Sequence, residues 1–290
     1  MTIRRWTLGF GLLGLLLVPM SRADAQEVQL TGPLAGQPAV RHLRMYREGR
    51  IELQPFAGFS LQDEFSRTMA FGAQAHYHVT DWLGFGVTGA YGLLSIDTSL
   101  TDEIGARGIT TERNALSLPS REYFTEQVGR IQWYASLQGQ FIPLRGKVSF
   151  FQKLFVDTDL RIFLGVAFVG VEERANVDAG ACPTAPARDA AGQVDPDNGC
   201  VQTQFARASR VAIAPVYGVG MTFYINDFLG LALEWRGMPF AWNTSGTDQF
   251  GPDSDFPDGV VDENDREFKF NQFFQIGLSV MLPQEVKVTD

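Results

Sequence analysis

Between residues 51 and 280 apolar and polar residues alternate in eight successive stretches. In the first, Ile51, Leu53, Ala57 and Phe59 fall on one face, and Glu52, Gln54, Gly58 and Ser60 on the other. The fourth is the clearest. Ile131, Trp133, Ala135, Leu137 and Phe141 oppose Gln132, Tyr134, Ser136, Gln138 and Gln140. The same period of two runs through residues 68–79, 83–93, 159–168, 210–223, 229–236 and 268–280. A repeat of two puts alternate side chains on opposite faces of a strand, so these are eight β-strands. The one helical candidate, Val148 to Phe155, is two turns at most.

The connections are unequal. Thr80-Asp81 and Ile225-Asn226-Asp227 are tight, and Pro143 to Phe155 is longer. The others are Leu61 to Ser66, Thr98 to Gln127, Arg174 to Ala206 and Thr244 to Glu267, three of them long and polar. Short turns at one end and long loops at the other predict an all-β fold. It is an eight-stranded antiparallel up-and-down transmembrane β-barrel, with the turns in the periplasm and the loops outside the cell. A soluble ligand-holding barrel also alternates, but with an apolar interior. The glutamine-rich face of the fourth stretch suits a hydrated lumen better than a ligand pocket, and glycines on the polar faces suit a narrow one.

The N-terminus fits that route. Arg4 and Arg5 precede an apolar run from Leu8 to Val18, and Ala23-Asp24-Ala25 is a small-x-small cleavage site before Gln26. The run is shorter than the roughly 20 residues of a spanning helix and reads as a secretory signal. The predicted organisation is signal peptide 1–25, periplasmic segment 26–49, outer-membrane barrel 50–283 and periplasmic tail 284–290. Aromatics near strand ends form two expected girdles. Tyr77, Trp82, Phe85, Phe141, Phe223 and Phe228 lie on the turn side, and Trp133, Trp235, Phe268 and Phe270 on the loop side.

The net charge of −9 excludes a general nucleic-acid binder, which needs a basic face. Cys182 and Cys200 lie in a Pro/Ala/Asp/Gly-rich stretch of an exported chain and read as a loop disulfide, with two free thiols as the alternative. Closing such a loop stabilises by roughly 3 kcal/mol in the chain-entropy model.

The run from Thr31-Gly32-Pro33-Leu34 to Arg47-Glu48-Gly49-Arg50-Ile51-Glu52-Leu53 continues as Pro55-Phe56-Ala57-Gly58-Phe59. With the closing stretch from Phe270-Asn271-Gln272 to Leu282-Pro283, it resembles the outer-membrane β-barrel domain proteins of myxobacteria and related deltaproteobacteria. Some members are assigned to adventurous gliding motility, so the resemblance implies an outer-membrane barrel and, as partners, envelope or motility proteins beside outer-membrane lipid. It implies no catalytic residue. Many outer-membrane barrels end on an aromatic that the assembly machinery reads. Here the sequence runs on to Asp290, so that signal is expected within Phe273 to Leu282.

Candidate chemistry is sparse. Asp253, Asp255, Asp258, Asp262 and Asp265 surround Gly259 in an arrangement similar to calcium loops of the dockerin and EF-hand type. Hard oxygen ligands around a glycine turn suit Ca²⁺. The spacing between Asp255 and Asp258 is one residue too long, and Asp replaces the bidentate Glu, so a solvated acidic loop also fits. No cofactor is required by any motif. His76 and His78 share the lumen face and read as hydrogen-bonding groups. Glu52, Arg161, Glu234, Arg236 and Lys269 are expected lumen charges, forming an internal network because a barrel of this size is just wide enough for side chains to fill. No phosphate loop, zinc cluster or hydrolase elbow is present. The expected role is a non-enzymatic docking component of an envelope complex, with a small pore and a lipid-acting barrel enzyme as alternatives.

Overall fold

The computed structural model describes residues 46–108, 124–150, 154–176, 206–248 and 260–284. The predicted signal peptide, most of the segment before the first strand, Cys182, Cys200, Asp253, Asp255 and Asp258 lie outside the described residues. No helix among the described residues is long and apolar enough to cross a membrane.

Eight strands close into an antiparallel up-and-down barrel. They are β1 (Ile51–Leu61), β2 (Ser66–His78), β3 (Leu83–Asp97), β4 (Arg130–Phe150), β5 (Leu154–Arg174), β6 (Arg207–Tyr224), β7 (Leu229–Trp242) and β8 (Glu267–Leu282). Two helices, α1 (Ser99–Arg107) and α2 (Phe124–Gln127), lie in the connection between β3 and β4. β8 pairs with β1 from Ile51↔Leu282 to Leu61↔Gln272, so the sheet has no free edge strand. Closure satisfies backbone groups that would otherwise be stranded away from water.

The alternation sorts side chains as elementary strand geometry requires. Glu52, Gln54, Gln74, His76, Gln138, Gln140, Glu234 and Gln275 point inward and are buried. Leu53, Phe71, Val87, Leu137, Leu164, Ile213, Leu231 and Ile276 point outward and are exposed. Aromatics edge this surface. Tyr77, Trp82, Phe85 and Phe141 are exposed toward the turn end, and Phe268 and Phe270 toward the loop end. A belt of exposed aliphatic side chains around a closed ring of strands is the surface of a barrel immersed in lipid.

Three features depart from the alternation. A bulge at Gln132 shifts the β4–β5 register between Ile131↔Val171 and Trp133↔Gly170. The extra residue turns Ile131 inward, where it is buried, whereas simple alternation places it outside with Trp133. Second, Pro143 to Phe150 and Leu154 to Phe155 are strand, where the sequence predicted a connection and a short helical candidate. After a bulge between Phe141 and Leu144 the two strands pair again, from Leu144↔Leu160 to Phe150↔Leu154. Pro143, which has no N–H, sits in that bulge, and the break in period hides the hairpin from a sequence reading. Beyond it Arg145 stands opposite Asp159, while Leu144 continues the outward apolar face.

Third, the β6–β7 ladder is short. It runs from Tyr224↔Gly230 to Tyr217↔Gly237 and stops, although β6 continues back to Arg207 and β7 on to Trp242. Continuing the register by two residues would set Pro215 opposite Pro239. Two facing prolines remove both donors of one rung, and the ladder ends there.

Candidate functional site: the lumen and its two closures

The lumen is stratified. Its turn-end half holds Glu52, Arg161, Glu234 and Arg236, each almost wholly buried. Arg161 Nη1 lies 3.3 Å from Glu52 Oε1 and its Nη2 3.4 Å from Glu234 Oε2. Arg236 Nη2 donates to Glu234 Oε1 at 2.8 Å. Two carboxylates and two guanidinium groups therefore balance. Polar neighbours complete the shell. Ser279 Oγ donates to Glu52 at 2.6 Å, Arg161 to Gln54 Oε1 at 2.5 Å and Arg236 Nη1 to Ser136 Oγ at 2.9 Å. Gln74 links Glu234 to Gln275, and Gln275 donates to the Tyr134 hydroxyl at 2.5 Å. Buried charges persist only when paired and hydrogen-bonded in this way.

The two histidines belong to the same lattice. His78 Nε2 lies 3.2 Å from Glu52 Oε2, and His76 Nε2 lies 2.9 Å from the Gln138 amide nitrogen. Among the described residues no group of three or more His, Cys, Asp or Glu is placed to hold a metal ion. Glycines on the inner face make room for the long side chains. A Cβ on Gly220 would sit 2.6 Å from Arg161 Nε, and one on Gly86 would sit 2.0 Å from His76 Cδ2. The Arg236 guanidinium also lies 4.9 Å from the Phe163 ring centroid, a favourable cation–π distance.

Lys269 is not part of this network. It sits at the loop-end rim, where its amine lies 3.0 Å from Glu64 and 2.7 Å from Glu267. The cause is position: Lys269 is the third residue of β8, far along that strand from Gln275 and Ser279, and its long stem reaches the nearest surface carboxylates instead.

The loop-end half corrects the expectation of a polar lumen throughout. Phe56, Ile131, Phe163, Val169, Val171, Ala212, Ala214, Val216, Met238, Phe240, Trp242 and Phe273 form one buried apolar cluster there. On this stretch of β5, β6 and β7 both faces are apolar, one turned to lipid and one to the interior. The result is a core and not a water-filled channel.

Both ends are closed. At the loop end Glu173 receives Arg210 at 2.6 Å, Arg266 at 3.1 Å and the Asn243 backbone N–H at 3.2 Å. Arg174 donates to the Gly246 carbonyl at 3.0 Å. Phe124, Gln127 and Val128, in and just after α2, are buried at this end, and Arg207 holds the Val128 carbonyl at 2.8 Å. The turn 260–266 joins in: Val261 N–H donates to Asn176 at 3.0 Å, and Asn264 takes both Asp262 carboxylate oxygens, at 2.7 and 3.2 Å. Asp265 accepts from the Asp262 backbone N–H at 3.2 Å.

At the turn end the chain just before β1 crosses the opening. Arg47 is buried, pairs with Asp159 and donates to the Tyr224 hydroxyl at 2.8 Å. Its backbone N–H donates to Asp81 at 2.8 Å, and Arg145 reaches the same carboxylate at 3.4 Å. Burial works against the ionised form of Asp81, but the N–H groups of Arg47 and Glu48 and the Arg145 guanidinium outweigh it and hold its carboxyl below the ordinary value. Arg50 ties the crossing to the barrel's end through the Pro283 carbonyl at 2.8 Å and the Asp227 carbonyl at 3.2 Å. The signal that could have found this closure was in view: Arg47 and Arg50 flank Gly49, whose φ of 74° makes the tight turn.

A pocket of about 180 Å³ lies on the loop-end rim, between Asp63, Phe65, Gly129, Trp242 and Asn271. Burial pushes the Asp63 carboxyl up to about 6, despite a hydrogen bond from Ser60.

No family model and no curated protein matches the sequence. Solved outer-membrane barrels are similar in structure. The N-terminal barrel domain of OprF from Pseudomonas aeruginosa is 8% identical, with 81% of this chain and 98% of that one covered and a TM-score of 0.40. OprG from the same organism is 11% identical, with 82% and 97% covered and a TM-score of 0.39. Ail of Yersinia pestis is 10% identical, with 81% and 99% covered and a TM-score of 0.35. The fold assignment itself rests on the closed register of the eight strands.

Proposed function

We propose that this chain is a non-enzymatic barrel of the outer membrane that docks partners of an envelope complex. The observation that carries the reading is a lumen blocked at every level: an ion-pair lattice, an apolar plug, a lid over the loop end and Arg47 across the turn end. A barrel so filled works through its surfaces. Two of them project from the membrane-facing wall. One is the loop end with exposed α1, and the other is the β4–β5 hairpin on the turn side. The resemblance to the myxobacterial barrel family supports an envelope role and, among such complexes, the gliding machinery. A small pore is disfavoured by the same blockage. A lipid-acting enzyme is disfavoured because His76 and His78 point inward and engage Gln138 and Glu52.

Photocrosslinking in intact cells tests this. A photoreactive residue at Arg107 of α1 samples the loop end, and one at Gly146 samples the hairpin, where a side chain meets open space. Discrete protein adducts are expected from at least one site. Adducts from neither would contradict docking.

A further inference from the structure

The pocket on the loop-end rim takes no part in the docking role. It forms where β1 is shorter than its neighbour. β1 leaves β8 at Leu61↔Gln272, whereas β8 runs on to Glu267 paired with β7 alone. A cavity of about 180 Å³ is left between the turn Gln62–Phe65, the Val128–Gly129 pair, the end of β7 and this part of β8. Its walls are held in place. The Thr101 hydroxyl of α1 donates to the Phe65 carbonyl at 2.6 Å, and the Phe65 ring meets Phe124 edge-on at 5.5 Å. Trp242 Nε1 donates to Asn271 at 3.0 Å. A protein cavity of about 150 Å³ holds one benzene molecule, so this one suits a ligand no larger than a single ring or a short chain.

The lining decides the chemistry. Phe65, Trp242 and Phe270 make an aromatic wall, and Asp63, Glu64 and Lys269 are its charged groups. Lys269 is already held by Glu64 at 3.0 Å and Glu267 at 2.7 Å. Asp63 has no such partner. Its hydrogen bonds come from neutral donors, the Ser60 hydroxyl and the Thr68 backbone N–H, and Arg67 of β2 acts on it only at longer range. The walls from β7 and from Val128–Gly129 add no charge. The cavity therefore carries a surplus carboxylate, which repels an anion. A polyhydroxylated ring is poorly served, because the amides are engaged with their neighbours. Asn271 donates to the Met238 and Lys269 carbonyls at 3.2 and 3.3 Å, and Gln62 accepts from Gln272 at 2.7 Å. A cation with a short apolar body answers both parts of the lining, the carboxylate by charge and the rings by contact and cation–π attraction.

We propose that the loop-end rim cavity is a binding site for a primary alkylammonium group, with its charge on Asp63 and its chain against Phe65, Trp242 and Phe270. Two sources carry this chemistry: a free aliphatic amine, and a lysine side chain presented to the loop end. The site does not depend on the docking role, so amine binding and crosslinked partners can fail separately.

Calorimetry on the full chain in detergent micelles, with protein-free micelles as the blank, tests the site with n-butylammonium and the neutral 1-butanol. At pH 7.5 the ammonium is expected to bind about tenfold more tightly than the alcohol, the worth of one charge-assisted hydrogen bond. Butylammonium stays charged at pH 5, but Asp63, raised by burial to about 6, takes up a proton there, so the preference is expected to vanish. Asp63→Asn, a near-isosteric change, should remove the preference at both pH values. Thr244→Phe, which fills the cavity from its rim, should remove binding of both probes. Heat-modifiability on gel electrophoresis shows that each variant is folded. Nα-acetyl-lysine N-methylamide separates the sources: binding as tight as that of butylammonium assigns the site to a lysine side chain, and its exclusion assigns the site to a free amine. No saturable binding of butylammonium at pH 7.5 would overturn the proposal. Equal affinity for ammonium and alcohol, or an ammonium affinity unchanged in Asp63→Asn, would overturn it as well.

Discussion

Arg236 is the residue on which the polar half of the lumen turns. It is fully buried, bridges Glu234 to Ser136 and Thr88, and stacks near Phe163. Removing one partner of a buried pair leaves an uncompensated charge, so Arg236→Met is expected to destabilise by about 3–5 kcal/mol. Adding Glu234→Gln should recover part of that loss, because it removes the excess negative charge and leaves Arg161 balanced by Glu52. Urea unfolding in lipid vesicles reads both, and equal stability of the single and double variants would contradict the pairing. Gly218 makes a steric claim of the same kind. A Cβ there would lie 2.1 Å from the Trp235 carbonyl oxygen, so Gly218→Ala is expected to cost about 1–3 kcal/mol in the same assay.

Asp63 supplies the pH dependence at this scale. Its folded-state value of about 6 is above the ordinary 3.8, so the folded chain holds that proton more tightly than the unfolded one. The associated stability is fully present below the unfolded value and is lost as pH rises through about 6. Asp63→Asn should therefore match the parent at acid pH and exceed it at pH 8 by about 1 kcal/mol, after discounting for partial exposure. A stability gap that is the same at both pH values would refute this.

At the scale of elements, the β4–β5 hairpin separates what alternation reveals from what it conceals. Glu52, Arg161, Glu234 and Arg236 were legible because each sits in an unbroken run of period two. Ile131 and the hairpin were not, because the bulges at Gln132 and near Pro143 change which face a residue takes without changing the composition. The apolar lumen half was hidden for a different reason. Where β5 to β7 are apolar on both faces, the pattern cannot say which face meets lipid. Lys269 shows the remaining gap: its inward register was readable, but the rim carboxylates that capture it belong to other stretches. The hairpin also yields a prediction. On the β4 side the barrel wall is complete through Arg130–Phe141; beyond it the β5 arm stays paired with β6 as far as Asp157↔Tyr224, and Arg145–Asp81 and Asp159–Arg47 tie the extension across the opening. Cutting the hairpin back to Leu144 and Leu160 with a short glycine-containing turn should leave a folded, heat-modifiable barrel on gel electrophoresis, although Arg47 loses its carboxylate partner. Loss of the folded band would show instead that the extension is required for closure.

For the whole molecule, the structure joins two solvents with opposite demands. The outer wall is aliphatic and edged by aromatics, which suits lipid. The interior is divided into a polar lattice of paired charges and an apolar plug, so the fold needs no continuous aqueous path. Sealing the lumen leaves the projecting ends as the places where the molecule can act. Single-channel recording of the purified chain in planar bilayers tests that account most directly. The sealed lumen predicts a quiet baseline after insertion, and one that stays quiet when Arg47 alone is replaced by alanine, because the lattice, the plug and the lid remain. Steady, long-lived conductance from the unaltered chain would contradict it.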